Sequence, residues 1–188
     1  MTEPRILPIV IEGSPILKEH CKKITEGYPY KRLIENMFHT LEAIESGVGL
    51  AAPQVNEAVR AFIMSEKAGG KNIAFINPSI IEKKGKWKLD TEGCLSVPKV
   101  YARVERAQKV VINYYDIDFK EHTKMFKGFE ARVIQHEYDH LIGLQFYDRL
   151  HHNDNEYEKI KDKLAEIRKG KIPEVTYPVI KTTKIEKS

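Results

Sequence analysis

The feature that most limits what this chain can become is QHEYDHLIG, residues 135–143, where two histidines stand four apart with a glutamate directly after the first. On an α-helix, residues at that spacing lie about 40° apart around the axis. His136 and His140 therefore share a face and can bind one metal ion, with Glu137 beside them to move protons. The longer segment GFEARVIQHEYDHLIGLQFY keeps helical spacing and predicts a stripe of Phe129, Val133, His136 and His140. A stripe that mixes apolar residues with imidazoles points inward, and buried imidazoles need partners that a shared metal supplies.

A catalytic metal site usually takes three protein ligands and keeps one position open for water. One common pattern places a third histidine six residues after His140, but position 146 is Phe. Another takes a glutamate from a following helix; Glu156 and Glu158 are available, although their acidic neighbourhood also suits a solvated helix start. Cys94, in EGCLSVP, is the remaining candidate, set beside Gly93 in a turn-like segment between strand-like runs. A free cysteine otherwise behaves as a small buried hydrophobe. Spacing alone leaves the third ligand open.

The other cysteine is Cys21. A chain of 188 residues can bury a sizeable core without a disulfide, so both are expected as free thiols, Cys21 in a structural role. With 41% hydrophobic and 31% charged residues, the composition is that of an ordinary folded domain. No apolar run approaches the roughly 20 residues that span a membrane, and the N-terminus lacks the basic flank and apolar stretch of a signal peptide. Action in the compartment of synthesis, the cytoplasm, is expected. The net charge of +4 lies entirely within residues 157–188, so the histidine region is not marked as a nucleic-acid groove and no membrane partner is implied.

Periodicity divides the remainder. YPYKRLIENMFHTLEAIES predicts an amphipathic helix stopped by the glycines of GVG. RAFIM, NIAFIN and KVVINYYDID read as strands, and a charged helix is expected over about residues 153–169, ending at Gly170. Without repeats or a dividing linker, the expected fold is one α+β domain over residues 1–170, its mostly antiparallel strands packed around the central metal-binding helix, with a C-terminal helix. Residues 171–188 follow as an extended basic tail.

GVGLAAPQV at 47–55, EGCLS at 92–96 and QHEYDHLIG at 135–143 together resemble the three signature motifs of the peptide deformylases, in the same order, and agreement runs from about Ile6 to Leu150. The resemblance implies a metal-dependent amidase that removes the formyl group from the N-terminal formylmethionine of nascent polypeptides, releasing formate. It implies Cys94, His136 and His140 as ligands of one divalent ion per chain. Fe2+ is the expected working ion, with Ni2+, Co2+ or Zn2+ able to occupy the site. Glu137 is implied as the general base and acid, with the Gln54 side-chain amide and the Leu95 backbone N–H stabilising the oxyanion. Val48, Gly49, Gly93, Phe129 and Val133 are implied as substrate contacts, with Leu95 joining them in the apolar pocket. The basic tail and the helix before it permit transient ribosome association. Two rival readings are a zinc endopeptidase built on the same helix, which Phe146 disfavours, and a catalytically silent deformylase-like binding protein. Lys99 departs from the glycine common in the family after SVP.

Overall fold

The computed structural model describes residues 3–25, 27–150 and 155–180. The first long element is helix α1 (Tyr30–Glu42), which buries Leu33, Ile34, Met37 and Leu41 along one face. It ends at Ala43, earlier than the expected run to about residue 46, and the chain then turns so closely that a Cβ on Gly47 would lie 2.5 Å from Leu41 Cδ1. The glycine is thus needed for close approach to the helix rather than as its stop.

Five antiparallel strands follow in spatial order β2-β3-β4-β5-β6: β2 (Gly49–Ala51), β3 (Ala61–Met64), β4 (Ile73–Cys94), β5 (Val97–Tyr115) and β6 (Glu121–Lys127). The short helix α2 (Glu66–Gly69) links β3 to β4. The expected strands fall within this sheet, but β4 and β5 are far longer than the apolar runs suggested, at 22 and 19 residues. Register breaks at Ile76/Ser79, Ile80/Glu82 and Lys84/Trp87 bend this hairpin, as extra unpaired residues do. Its far end closes in a two-residue turn, Leu95–Ser96, between Cys94 and Val97.

Helix α3 (Gly128–His140) packs against the sheet and is buried on nearly every side. It does not continue into LQFY. Gly143 takes φ +73°, and a Cβ there would sit 2.4 Å from the Lys18 carbonyl oxygen, so the chain turns away. Phe146–Arg149 then form a separate 3-10 turn. Helix α4 (Asn155–Arg168) buries Ile160, Leu164 and Ile167 against Val97, Val100 and Val104 of β5.

The chain's two ends meet. Strand β1 (Ile9–Val10) pairs in parallel with β7 (Val179–Ile180). Residues 171–180, expected as an extended tail, are extended and docked on the body; the rest of that tail, 181–188, lies outside the described residues. The architecture is α+β, with a mostly antiparallel sheet packed around the histidine helix and a C-terminal helix.

Candidate metal centre

Helix α3 brings His136 and His140 onto one face, and the last residue of β4 places Cys94 against them. One ligand atom from each of the three lies within 4.8 Å of the others. Cys94 Sγ is 3.4 Å from His140 Nε2, and the two imidazole rings stand nearly perpendicular with centroids 5.1 Å apart. Glu156 and Glu158 are elsewhere: Glu156 accepts the Arg103 N–H at 2.8 Å and pairs with Lys159, while Glu158 pairs with Lys161 at the exposed start of α4.

The three residues fit a transition-metal ion. A thiol and two imidazoles converging on one point form a donor set suited to divalent zinc, iron, nickel or cobalt. His136 Nδ1–H donates to Glu92 Oε2 at 3.0 Å, which leaves Nε2 as the ligand nitrogen. Burial disfavours a charged His136, yet hydrogen bonds to Cys94 and Glu92 on its two sides raise its proton affinity well above the ordinary value. A cation held by Cys94 and His136 would take the place of that proton. Burial, followed by the charge of His136, holds His140 well below its usual pKa and so keeps it a neutral donor. Phe146, at the position where a third histidine was sought, is buried with its ring stacked 6.3 Å from that of His136.

Glu137 is fully enclosed, and burial lifts its carboxyl to about pH 7. Its Oε2 has no hydrogen-bond partner among the described residues. A carboxyl in that range can both take and return a proton at neutral pH. Gly49 makes room for it: a Cβ there would lie 2.5 Å from Glu137 Oε1. Gln54 is held with a defined amide orientation, its Oε1 accepting the Ala51 N–H at 2.9 Å. Its Nε2 donates at 3.3 Å to Cys94 Sγ and at 3.2 Å to Ser96 Oγ. Both donors lie on the cavity side of the amide, where another acceptor can reach them.

Sequence reading missed a buried ionic network that orients this cluster. Glu92, two residues before Cys94, accepts Arg106 Nε–H and Nη2–H at 3.0 and 2.9 Å, and Arg132 Nη1–H at 2.6 Å. Burial opposes its charge, but His136 and Arg106 outweigh that and hold its pKa well below the carboxylate range. Asp139, on α3 beside His140, accepts Arg106 Nη1–H at 2.5 Å and pairs with Arg149. In the sequence these charges look like solvated ones. The available signal was position: Glu92 flanks the cysteine motif, and Asp139 lies inside the histidine motif, three residues from His136.

The cluster opens into a cavity of about 610 Å³. Val48, Gly49, Gly93, Leu95, Phe129 and Val133 all line it, as do Gln54, Cys94, His136 and Glu137. His140 lies behind them, 1% exposed. The expected inward stripe is broken at Phe129, which is 54% exposed at the cavity rim because it stands in the first turn of α3, where the helix emerges from the body. An unforeseen wall comes from residues 174–177.

Residues 6–156 match the family model described as Polypeptide deformylase. A peptide deformylase of Christiangramia forsetii is 43% identical over 183 residues, spanning 89% of this chain and 92% of that relative. A peptide deformylase of Chlorobium phaeovibrioides is 40% identical over 181 residues, spanning 93% and 92%. Among solved structures, a plant peptide deformylase superposes with TM-score 0.82 at 32% identity, covering 97% of this chain and all of that one. The Thermus thermophilus enzyme superposes with TM-score 0.80 at 34% identity, covering 88% and 99%.

Proposed function

The chain belongs to the peptide deformylase family, and we propose that Cys94, His136 and His140 hold one divalent metal ion beside which Glu137, Gln54 and Leu95 act. The protein is a hydrolase that removes the N-terminal formyl group from nascent polypeptides, a step of N-terminal processing in protein biosynthesis. The observation that carries the assignment of residues is the convergence of those three donors beside the enclosed Glu137 carboxyl.

An ion bound by Cys94, His136 and His140 would lower the pKa of water towards neutrality and so supply a nucleophile for the formyl carbon. Glu137 takes the water's proton and returns it to the amine that leaves, which is the N-terminus of the trimmed polypeptide. Negative charge develops on the formyl oxygen, and the Gln54 amide and Leu95 N–H are assigned to stabilise it. Gln54 turns its Nε2–H groups to this use without reorienting, because Ala51 fixes its other end. Strand β2 is an edge of the sheet, with Val48 and Gly49 on the cavity, so an extended peptide can add alongside it. Val48, Leu95, Phe129 and Val133 supply apolar surface for the methionine side chain, with Gly93 leaving room beside the Tyr101 ring.

Fe2+ is assigned as the working ion because the family resemblance implies it; the thiol and imidazole donors equally admit Ni2+, Co2+ or Zn2+. Ribosome contact is assigned to α4 and the basic residues that follow it, supported by the charge surplus there. No helix among the described residues is long and apolar enough to cross a membrane, and the cytoplasm is the assigned compartment. The catalytic domain is assigned to residues 1–170 together with the docked segment 171–180, which supplies part of the cavity wall.

Formate release from a formyl-Met tripeptide tests the site. Protein reconstituted anaerobically with Fe2+ or Ni2+ is expected to release formate, and chelator to abolish it. Cys94→Ala is expected to lose metal and activity together, and Glu137→Ala to lose activity while keeping the metal. Full turnover by either variant would remove that residue from its role.

A further inference from the structure

The small parallel sheet formed by the chain's two ends grips the turn that carries the proposed oxyanion donor. Leu95 and Ser96 are the two central residues of that turn, and both of their carbonyls are held from outside it. On the β1 side, the Glu12 N–H donates to the Ser96 carbonyl at 2.8 Å. On the β7 side, the Tyr177 hydroxyl donates to the Leu95 carbonyl at 2.9 Å. The two strands that deliver these groups are themselves joined, Ile9 N–H donating to the Pro178 carbonyl at 2.8 Å. Val179 packs into the core cluster formed under α4, which anchors the strand next to Tyr177.

A two-residue turn can exchange between forms that differ by a flip of its central peptide. Here that peptide is Leu95–Ser96. A flip would reverse the Leu95 carbonyl and shift Ser96, whose hydroxyl accepts from Gln54 Nε2 at 3.2 Å. It would therefore disturb Gln54 through Ser96, and it would reach the Leu95 N–H, which belongs to the preceding Cys94–Leu95 peptide, by tilting the turn as a whole; neither donor belongs to the C-terminal segment. Burial pushes the Tyr177 hydroxyl up to about 12, with Cys94 adding to the effect, so it stays a donor at any working pH. The same segment lines the cavity through Glu174, Val175, Thr176 and Tyr177. All of it lies beyond residue 156, where the match to the family model ends.

We propose that Tyr177 is a positioning residue for deformylation, fixing the Leu95–Ser96 turn so that the Leu95 amide and Gln54 stay aimed at the formyl oxygen. The proposal rests on the assignment of those two donors above. It concerns transition-state alignment and not metal binding or ground-state affinity, so its signature falls on kcat rather than KM.

Tyr177→Phe keeps the ring and removes only the hydroxyl. With Ni2+-loaded protein and formyl-Met-Ala-Ser, kcat is expected to fall about three- to ten-fold, the worth of one hydrogen bond. KM should stay within about two-fold and the metal content should be unchanged. Amide hydrogen exchange in residues 94–98 should quicken in the same variant. Val179→Asp, which undocks the strand without touching Tyr177, should lower kcat at least as far. An unchanged kcat in Tyr177→Phe overturns the proposal, as does a loss of kcat that tracks lost metal or lost folded protein in both variants. Failure of the wild type to release formate would instead overturn the assigned reaction, so the two failures are separable.

Discussion

Helices α1 and α3 are both 13 residues long, and they are buried by opposite rules. Helix α1 shows the core an apolar stripe of Leu33, Ile34, Met37 and Leu41, buries the uncharged polar Asn36 and Thr40 beside it, and leaves its other face largely to solvent. Helix α3 buries Arg132, Gln135, Glu137, Asp139 and His140 among its thirteen residues. Apolar burial needs only area, and its cost on mutation is graded. Polar burial needs partners at set distances and directions, and a half-satisfied network is worse than none. The side of the molecule that folds it and the side that works it therefore tolerate different kinds of change.

The sharpest way to break the comparison is Glu92→Ala. It leaves Arg106 and Arg132 without their shared carboxylate and His136 without its orienting acceptor. Denaturant unfolding should show a loss of about 3–5 kcal/mol, the cost of stranding a buried charge. Metal affinity should fall about 10- to 100-fold, read by competition with a chelator. Stability near wild type would mean that the network is dispensable. Next comes Gln54→Ala, expected to raise the barrier by about 2.7–4 kcal/mol while the metal stays bound. Turnover within a few-fold of wild type would remove Gln54 from the oxyanion site.

Gly49→Ala pushes a methyl group against Glu137, which must shift to admit it. A displacement of that order typically costs about 100-fold in rate, so kcat should drop steeply while the melting temperature moves little. The reverse pattern would assign Gly49 to folding alone. The smallest effect belongs to α1. Thr40 is fully buried there and its hydroxyl accepts the Leu7 N–H at 2.8 Å, so Thr40→Val leaves that donor unpaired. Stability should fall by about 1–3 kcal/mol. Turnover per folded molecule should not change, and a change would show that the two helices are coupled.

The same contrast explains what could be read from the sequence. Helix α1 was legible because its stripe repeats at 3.6 residues, and β3 because AFIM is a compact apolar run. Residues 81–90 of β4 were not, since that stretch is solvent-exposed, rich in lysine and interrupted by Gly85, and its alternation is confined to KWKLD. Strand β6, EHTKMFK, is masked by its polar residues in the same way. In the site, His136, Glu137 and His140 followed from helical spacing, whereas Cys94 came through the resemblance, because 42 residues separate it from His136. Glu92, Arg106 and Asp139 escaped notice because a buried charge and a solvated one look alike until their partners are placed. Tyr177 escaped for a simpler reason: its contact with Leu95 spans 82 positions.

The pairing of residues 9 and 10 with residues 179 and 180 also bears on how the molecule is made. A growing chain presents Ile9–Val10 early, but their neighbour in that layer, Val179–Ile180, is synthesised much later. Until it arrives, one side of the Leu95–Ser96 turn has nothing to lean on. An enzyme that trims polypeptides as they are made thus finishes its own active site only well after its metal-ligand residues have left the ribosome's peptidyl-transfer step.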